Sequence, residues 1–440
     1  MFLAFFFKKL FSFILCLYIF ISILKTLNNR NKFFFMEKDI ELKQAVDTPN
    51  QNEFIDNAIS KLRDNSFTTY IYCPPMNSPS GGIGVLLRSA KNLVDNGFNV
   101  KIVYEPRQNQ KASYEASLKA KKKIDIFDKF NPSWVDFDIS KVELIPLGDL
   151  RDEKGKQIKM EFSDGTSDFG TQLSVNPEDF LIIPEGFPDL MKKTMQVSCK
   201  RIVFAQSWFY VLNAMQPGEK WQHFGIRDVI SASDAITEYL QSVMPGLNIK
   251  NFKQGINREI FKAPEKISDK MPMVAFSASR GPENKLKTYN IIKTFYAFYP
   301  HLKWIRFQEL ENMDREQFAE RLSSCAFYLY TDDIAGFGTA PLEAMACGTH
   351  TVGWASFGGK EYMNSENGFW CNNGDIFQTA EILGIAIDKW LNGEMDTEEI
   401  QEKYEETLSN YTTEKEKENI ITLLNEYKDE RIKELESFKK

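Results

Sequence analysis

Histidine is scarce, with three in 440 residues. The six cysteines, at 16, 73, 199, 325, 347 and 371, form no CxxC and no paired spacing. A zinc or disulfide framework is therefore not expected, and a reducing compartment is favoured. Positive charge is not in excess. Lys and Arg number 54 against 61 Asp and Glu, a formal charge of −7. An acidic chain is a poor generic nucleic-acid binder. Only one long apolar run exists, which excludes a polytopic membrane protein. At 43% hydrophobic and 26% charged, the composition also excludes disorder, collagen and a chain-long coiled coil. At roughly 150 residues per domain, the length suggests two or three domains with sizeable cores.

The apolar run is Leu10–Leu24, 15 residues broken only by Ser12 and Ser22 and flanked by Lys8-Lys9 and Lys25. A spanning helix needs about 20 residues, with roughly 17 as the lower bound. A signal peptide needs a small-residue cleavage site, and Thr26-Leu27-Asn28-Asn29 offers none. Residues 1–35 hold ten Phe, five Lys or Arg and no acid. The remainder, 36–440, carries 49 basic and 61 acidic residues. Three readings stand: a short membrane anchor, translated upstream sequence with the start at Met36, or an uncleaved signal. Phe, Lys, Ile, Leu and Asn are what AT-rich DNA encodes by default, which weighs for the second. No fold argument needs this segment.

Thr68–Cys73 is rich in β-formers and reads as a strand. Pro74–Gly82 reads as a loop, Val85–Asp95 as a helix stopped by Asn96-Gly97, and Phe98–Tyr104 as the next strand. That is a βαβ unit, hence a parallel sheet. Further strands are expected at Val142–Pro146, Phe180–Pro184, Arg201–Ala205 and Val229–Ala232. Residues 105–178 read as irregular, with turns at Lys154-Gly155 and Asp164-Gly165 that suggest a hairpin. The alternation restarts after about 260. Pro272–Ser277, Trp304–Phe307, Ala326–Tyr330 and Thr349–Trp354 read as strands, and Leu286–Tyr299 as a helix. The expected fold class is α/β with two βα-alternating halves. The domains are 66–255, 256–405 and a charged helical segment, 406–440, crossing back to the first half.

Three stretches carry chemistry. Ser80-Gly81-Gly82-Ile83-Gly84 lets backbone N–H groups approach a phosphate or sugar at a helix start. A dinucleotide fingerprint would need glycine where Leu87 stands, so an NAD site is a weak reading. Arg280 and Lys285 leave a strand's carboxyl end, where two cations would clamp a diphosphate; the alternative is two solvated charges. Gly336-Phe337-Gly338-Thr339 runs into a helix with Pro341 in its first turn and Glu343 one turn in, among small apolar residues. A carboxylate packed there needs a partner, and a ribose diol is one; the alternative is a partner for the helix macrodipole. His223, His301 and His350 are scattered and read as structural. Trp208-Phe209-Tyr210 reads as core or interface. Lys119 and Lys121-Lys122-Lys123 read as a solvated face, with a membrane or lipid-pyrophosphate contact as the functional alternative.

In order and spacing these blocks resemble the retaining GT-B glycosyltransferases of family 4 (glycosyl transferases group 1), over roughly residues 67–430. Gly81–Gly84 with Asn96–Val100 looks like the N-terminal glycine loop, helix and strand of that family. Gly255-Ile256-Asn257 and Phe261 look like its interdomain stretch, and Ser279-Arg280 through Lys285 like its diphosphate clamp. Ala335–Gly348 looks like its E-x7-E block, and Gly358-Gly359, Glu361 and Asn367-Gly368 like the downstream GG…E…NG residues. Three positions depart. Ala335 stands where the first Glu belongs, with Asp332 and Asp333 out of register. Pro184-Glu185 and Gln206 stand where the family often has histidine. Gln254 replaces an asparagine.

The resemblance implies two Rossmann-like domains facing across a cleft. It implies a metal-independent hexosyl- or deoxyhexosyltransferase, with a nucleotide diphosphate sugar as donor and a glycan or lipid-linked acceptor. No cofactor, metal or nucleic acid is implied. The setting would be bacterial polysaccharide assembly, cytoplasmic, at the inner face of the membrane. Arg280, Lys285 and Glu343 would be catalytic. Gly81, Gly82, Gly336, Phe337, Gly338, Thr339 and Leu342 would bind the donor, with Glu185 and Gln206 on the acceptor side. Transfer of this type is described as front-face attack in which the donor's phosphate helps deprotonate the acceptor, so no protein nucleophile is obligatory and electrostatic stabilisation of the leaving diphosphate dominates. Ala335 implies either a donor without the usual contact, such as a deoxy sugar, or another group doing the job. Two competing readings are an inactive GT-B scaffold, which Ala335 favours, and a Rossmann-type oxidoreductase, which Leu87 and the two separate halves oppose.

Overall fold

The computed structural model describes residues 51–121, 123–151, 155–278, 281–311 and 313–439. The 1–35 segment, Lys122 and the expected clamp residue Arg280 lie outside the described residues.

The first half begins with helix α1 (Gln51–Arg63), strand β1 (Thr68–Tyr72), helix α2 (Gly81–Val94) and strand β2 (Asn99–Tyr104). Then come β3 (Arg107–Gln108), α3 (Gln110–Ala120), β4 (Ile126–Asp128), β5 (Glu143–Pro146), β6 (Met160–Phe162) and β7 (Ser167–Asp168). It closes with β8 (Phe180–Pro184), α4 (Pro188–Lys193), β9 (Lys200–Ala205), α5 (Trp208–Asn213), β10 (Asp228–Ser231), α6 (Asp234–Val243) and β11 (Asn248–Asn251). Seven of these strands form one parallel sheet in the order β11-β10-β9-β8-β1-β2-β5. β8 and β9 are buried at every position. Strands covered on both faces need near-continuous apolar sequence, and Phe180-Leu-Ile-Ile-Pro184 supplies it.

The second half runs β12 (Met271–Phe276), α7 (Gly281–Phe298), β13 (Phe307–Glu309), α8 (Arg315–Ser324), β14 (Cys325–Tyr330), α9 (Thr339–Ala346), β15 (His350–Trp354), β16 (Phe369–Cys371) and α10 (Ile376–Leu391). Its sheet is separate and parallel, in the order β13-β12-β14-β15-β16. Helices α11 (Thr397–Leu408) and α12 (Thr413–Ser437) end the chain. α12 packs on α1 and α2 of the first half. Tyr427 donates its hydroxyl to Val229 O at 2.8 Å, and Arg431 reaches Ser198 O at 2.7 Å.

The chain therefore passes between the halves twice, and the two passes touch. Ile256 N donates to Tyr411 O at 2.8 Å. A Cβ on Gly255 would sit 2.4 Å from Thr412 O, so the approach requires glycine. Beside it, Glu416, fully buried, accepts from Arg88 at 2.6 Å and 2.9 Å and from Gly255 N at 2.5 Å.

Some expectations need correction. The glycine stretch opens a helix as expected, but the loop expected at Pro74–Gly82 ends at Ser80 and the helix expected from Val85 already starts at Gly81, with Gly81–Gly84 as its first turn. The strand expected at Trp304–Phe307 is Phe307–Glu309, with Trp304 exposed. Residues 105–178 are not irregular. They contain α3 and a small four-stranded sheet, β3-β4-β6-β7, whose β6–β7 hairpin turns at Asp164-Gly165. Gly165 has φ +83, a left-handed turn that glycine adopts without strain. Among the described residues no helix is long and apolar enough to cross a membrane.

Candidate functional site

In an open parallel sheet, ligands bind beyond the carboxyl ends of strands where the strand order reverses. In the first sheet that point lies between β1 and β8, followed by Gly81 and by Glu185 respectively. In the second it lies between β12 and β14, followed by the Arg280–Lys285 stretch and by the loop 331–338. The second point meets the first half one and two strands over from the first, beyond the ends of β9 and β10. A Cβ on Gly336 would lie 2.0 Å from Gln206 O, so this loop abuts the end of β9 directly. Ser233 donates its hydroxyl to Gly336 O at 2.7 Å. Asp234 N donates to Glu361 at 2.8 Å, and the Trp208 and Phe357 rings lie 4.9 Å apart.

On the second-half wall, Gly338 precedes α9 with φ +84 and its carbonyl accepts from the Tyr362 hydroxyl. Glu343 is 3% exposed, and its Oε1 accepts from Arg315 Nη2 at 2.7 Å. The Arg315 guanidinium lies over the Phe261 ring at 4.7 Å, with Nε 3.9 Å from Asp136 of the first half. Asn257 also donates to Asp136, at 3.4 Å. The partner that a buried Glu343 requires is thus an arginine of the same domain, set at the start of α8.

Lys285 lies near the start of α7. Its ammonium pairs with Glu309 at 2.9 Å and Glu311 at 3.5 Å at the β13 edge, and the Glu309 bond holds its pKa above the ordinary lysine value. Lys287 reaches the loop 331–338. It pairs with Asp333 at 2.8 Å and lies 5.7 Å from the Trp354 ring. Phe337 and Leu342 are not donor-facing side chains. Phe337 packs between Tyr362 and Tyr411 at 5.5 Å each, and Leu342 is fully buried, so only their backbones remain for a ligand. Thr339 opens α9 and Pro341 follows in its first turn.

On the first-half wall, Gln206 donates its amide to Gly82 O at 3.0 Å, tying β9 to α2, while Gly81 faces open space. Glu185 is buried. Burial pushes its carboxyl up to about 7, against hydrogen bonds from its own backbone N–H and those of Gln206 and Ser207. Glu105, at the end of β2, is likewise pushed up to about 7 by burial, with Lys193 opposing. No metal-binding group of His, Cys, Asp or Glu occurs among the described residues.

Of the histidines, His223 accepts from Lys220 N at 3.2 Å, His301 meets Asp388 at 3.2 Å, and His350 is buried against Tyr404. The sequence reading missed Arg315, Asp136, Lys287 and Arg88. Their signal is weak, since each is an ordinary surface-type residue whose importance comes from a partner far away in the chain.

This architecture matches solved structures across most of its length. It aligns with a mutant of S. aureus TarM in complex with fondaparinux, alpha-GlcNAc-glycerol and UDP, with TM-score 0.53 and 11% identity, covering 82% of this chain and 100% of that one. It aligns equally with sucrose-phosphate synthase from Thermosynechococcus elongatus, with TM-score 0.53 and 14% identity, covering 82% of this chain and 99% of that one. The chain has the GT-B fold. Residues 301–410 match the family model for Glycosyl transferases group 1. That span contains Glu343, Arg315, the glycine loop and the Gly358-Gly359 turn. A curated relative is the alpha-1,6-glucosyltransferase of Actinobacillus pleuropneumoniae serotype 7 (strain AP76), 24% identical over 231 residues, 51% of this chain and 68% of the relative.

Proposed function

We propose that the protein is a retaining, metal-independent glycosyltransferase of the family 4 type. It moves a hexose or deoxyhexose from a nucleotide diphosphate donor to a glycan or lipid-linked acceptor, and it needs no cofactor. The observation that carries this reading is the group 1 domain at 301–410, with its glycine loop set at the strand-order reversal of a GT-B cleft. The relative's alpha-1,6-glucosyl transfer and the UDP bound to TarM make a UDP-hexose the first donor to try. Membrane contact through the lysine run around 119–123 belongs to the same proposal, as does action at the inner membrane face.

The work is divided among a few residues. The Gly336–Thr339 turn and the amino end of α9 face the leaving diphosphate, with Arg280 and the Lys285–Lys287 pair supplying positive charge. Glu343, fixed by Arg315, reads the ribose. No histidine–acid–nucleophile set is needed, because preorganised charge on the leaving group lowers the barrier. Incubation with radiolabelled UDP-, GDP-, dTDP- and ADP-sugars, scored for hydrolysis and transfer, tests the reading; neither reaction with any donor would refute it. A thermal-shift screen over the free diphosphates identifies the base. The second reading, a GT-B scaffold without catalysis, is favoured by Ala335 and by the acid partners of Lys285. It predicts diphosphate binding with no turnover.

A further inference from the structure

Glu185 stands at the end of the fully buried strand β8 and is 5% exposed. The backbone N–H groups of Gln206 and Ser207 donate to its carboxyl. Those same two residues face the other half. A Cβ on Gly336 would fall 2.0 Å from Gln206 O and 2.9 Å from Ser207 Cα. The Glu185 carboxyl is therefore separated by a single peptide unit from the segment Ala335-Gly336, where the E-x7-E pattern lacks its first carboxylate.

Ser207 is the residue before α5. A serine there ordinarily accepts from an N–H of the first helical turn. This one makes no such bond, and its buried hydroxyl has no partner. The Trp208 indole N–H, next in the chain, is also buried without a partner. Two adjacent buried donors left unpaired are costly unless something completes them. A carboxyl, a hydroxyl and an indole N–H beside aromatic faces are what a sugar's hydroxyls and apolar ring face call for. Trp208 supplies those faces with Phe357 at 4.9 Å and Tyr239 at 5.9 Å.

We propose that Glu185, the Ser207 hydroxyl and the Trp208 indole N–H form the subsite that reads hydroxyls of the transferred sugar, replacing from the first half the carboxylate that Ala335 lacks in the second. This rests on the transferase reading above. The subsite is at the domain contact, so sugar entry parts the Gln206–Trp208 segment from Gly336 and Phe357.

The experiment starts from whichever of UDP-glucose, UDP-galactose, UDP-N-acetylglucosamine and GDP-mannose the full chain turns over fastest. Ser207→Ala removes an unpaired hydroxyl and leaves the melting temperature unchanged or raised. It is expected to lower kcat/KM for that donor at least fivefold and to narrow discrimination against one of its monodeoxy-hexose analogues. Glu185→Gln is expected to lower kcat/KM more than tenfold and to remove an ionisation near neutral pH from the rate profile. Binding of the free diphosphate should change less than twofold in both variants. Unchanged kcat/KM and analogue discrimination in Ser207→Ala overturn the subsite, even where Glu185→Gln fails to fold. Equal losses for free diphosphate and nucleotide sugar overturn it too. If the unaltered chain uses none of the donors and no nucleoside diphosphate raises its melting temperature, the transferase reading itself falls and takes the subsite with it.

Discussion

Arg315 donates to Glu343 at 2.7 Å while its guanidinium covers the Phe261 ring at 4.7 Å, so the carboxylate that stands out most in the sequence is held by a side chain that the sequence does not advertise. Hydrogen bonds to a charged group contribute roughly 1.5–3 kcal/mol. Glu343→Gln should therefore lower kcat/KM by about 10- to 100-fold. A 2′-deoxyribose donor should be poor for the unaltered protein, and the variant should narrow the gap between the two donors. If discrimination is unchanged, Glu343 does not read the ribose. The ion pair adds a stability effect that the sequence did not suggest. Glu343→Gln should cost about 1–2 kcal/mol in urea unfolding as a charge-assisted bond becomes a neutral one. Arg315→Ala with Glu343→Gln should cost less than the sum of the single changes.

The crossing between the halves offers a second test. Glu416 is fully buried and binds both Arg88 and Gly255 N. Removing one partner of a buried ion pair leaves the other uncompensated, which costs about 3–5 kcal/mol. Glu416→Ala should destabilise by that order in denaturant unfolding. Arg88→Met with Glu416→Met should be milder than either single change. A cost for the pair equal to the sum of the two single changes would mean that the two do not act together.

The parallel sheets were legible because buried strands leave apolar runs. Phe180–Pro184 and Ala326–Tyr330 fall inside β8 and β14. Short strands at sheet edges leave no such run. β16 has three residues, and β11 reads Asn248-Ile-Lys-Asn251, polar at all but Ile249, so neither was visible. The sheet at 107–168 was hidden for the same reason, since its strands are two or three residues long. Within the site, glycines announced themselves through the backbone they permit. Arg315, Asp136 and Lys287 did not, because an ion pair across 179 residues, as between Asp136 and Arg315, has no local pattern. Lys285 was expected at the diphosphate from its place after a strand's carboxyl end and from the resemblance of Ser279–Lys285 to the family's clamp, neither of which shows what else it touches. The acids Glu309 and Glu311 that hold it sit on the next strand and loop.

That placement makes the cations separable. Lys287 pairs with Asp333 in the loop that leads to Gly336, while Lys285 is shared by Glu309 of β13 and Glu311 just after it. Lys287→Ala should weaken nucleoside diphosphate binding at least as much as Lys285→Ala, and Arg280→Ala should weaken it more than either. All three should leave binding of the free nucleoside nearly intact, measured by calorimetry. Equal losses for nucleoside and diphosphate would indicate a damaged base side or a misfolded domain, and the electrostatic clamp would fail.

His350 makes stability depend on pH in a window set by one buried ring. It is fully buried in β15, with Nδ1 2.9 Å from the Tyr404 hydroxyl. Burial, aided by the nearby Lys270 charge, lowers its pKa from 6.5 to about 3. The folded state therefore binds fewer protons than the unfolded state between those values. Stability rises with pH across that interval, is fully present above about 6.5, and is lost as pH falls towards the folded value. One proton corresponds to about 1.4 kcal/mol per pH unit. Lowering pH from 6.5 to 5 should thus cost roughly 2 kcal/mol through this residue, over and above the carboxylates. His350→Gln keeps a polar group for Tyr404 but cannot titrate. It is expected to be less stable than the unaltered protein at pH 7.5, and the difference should shrink or reverse at pH 5. Urea unfolding at the two pH values measures it. Parallel loss in both proteins between pH 7.5 and 5 would mean that the ring accepts its proton without unfolding, and that Tyr404 and the β15 core yield to a charged histidine.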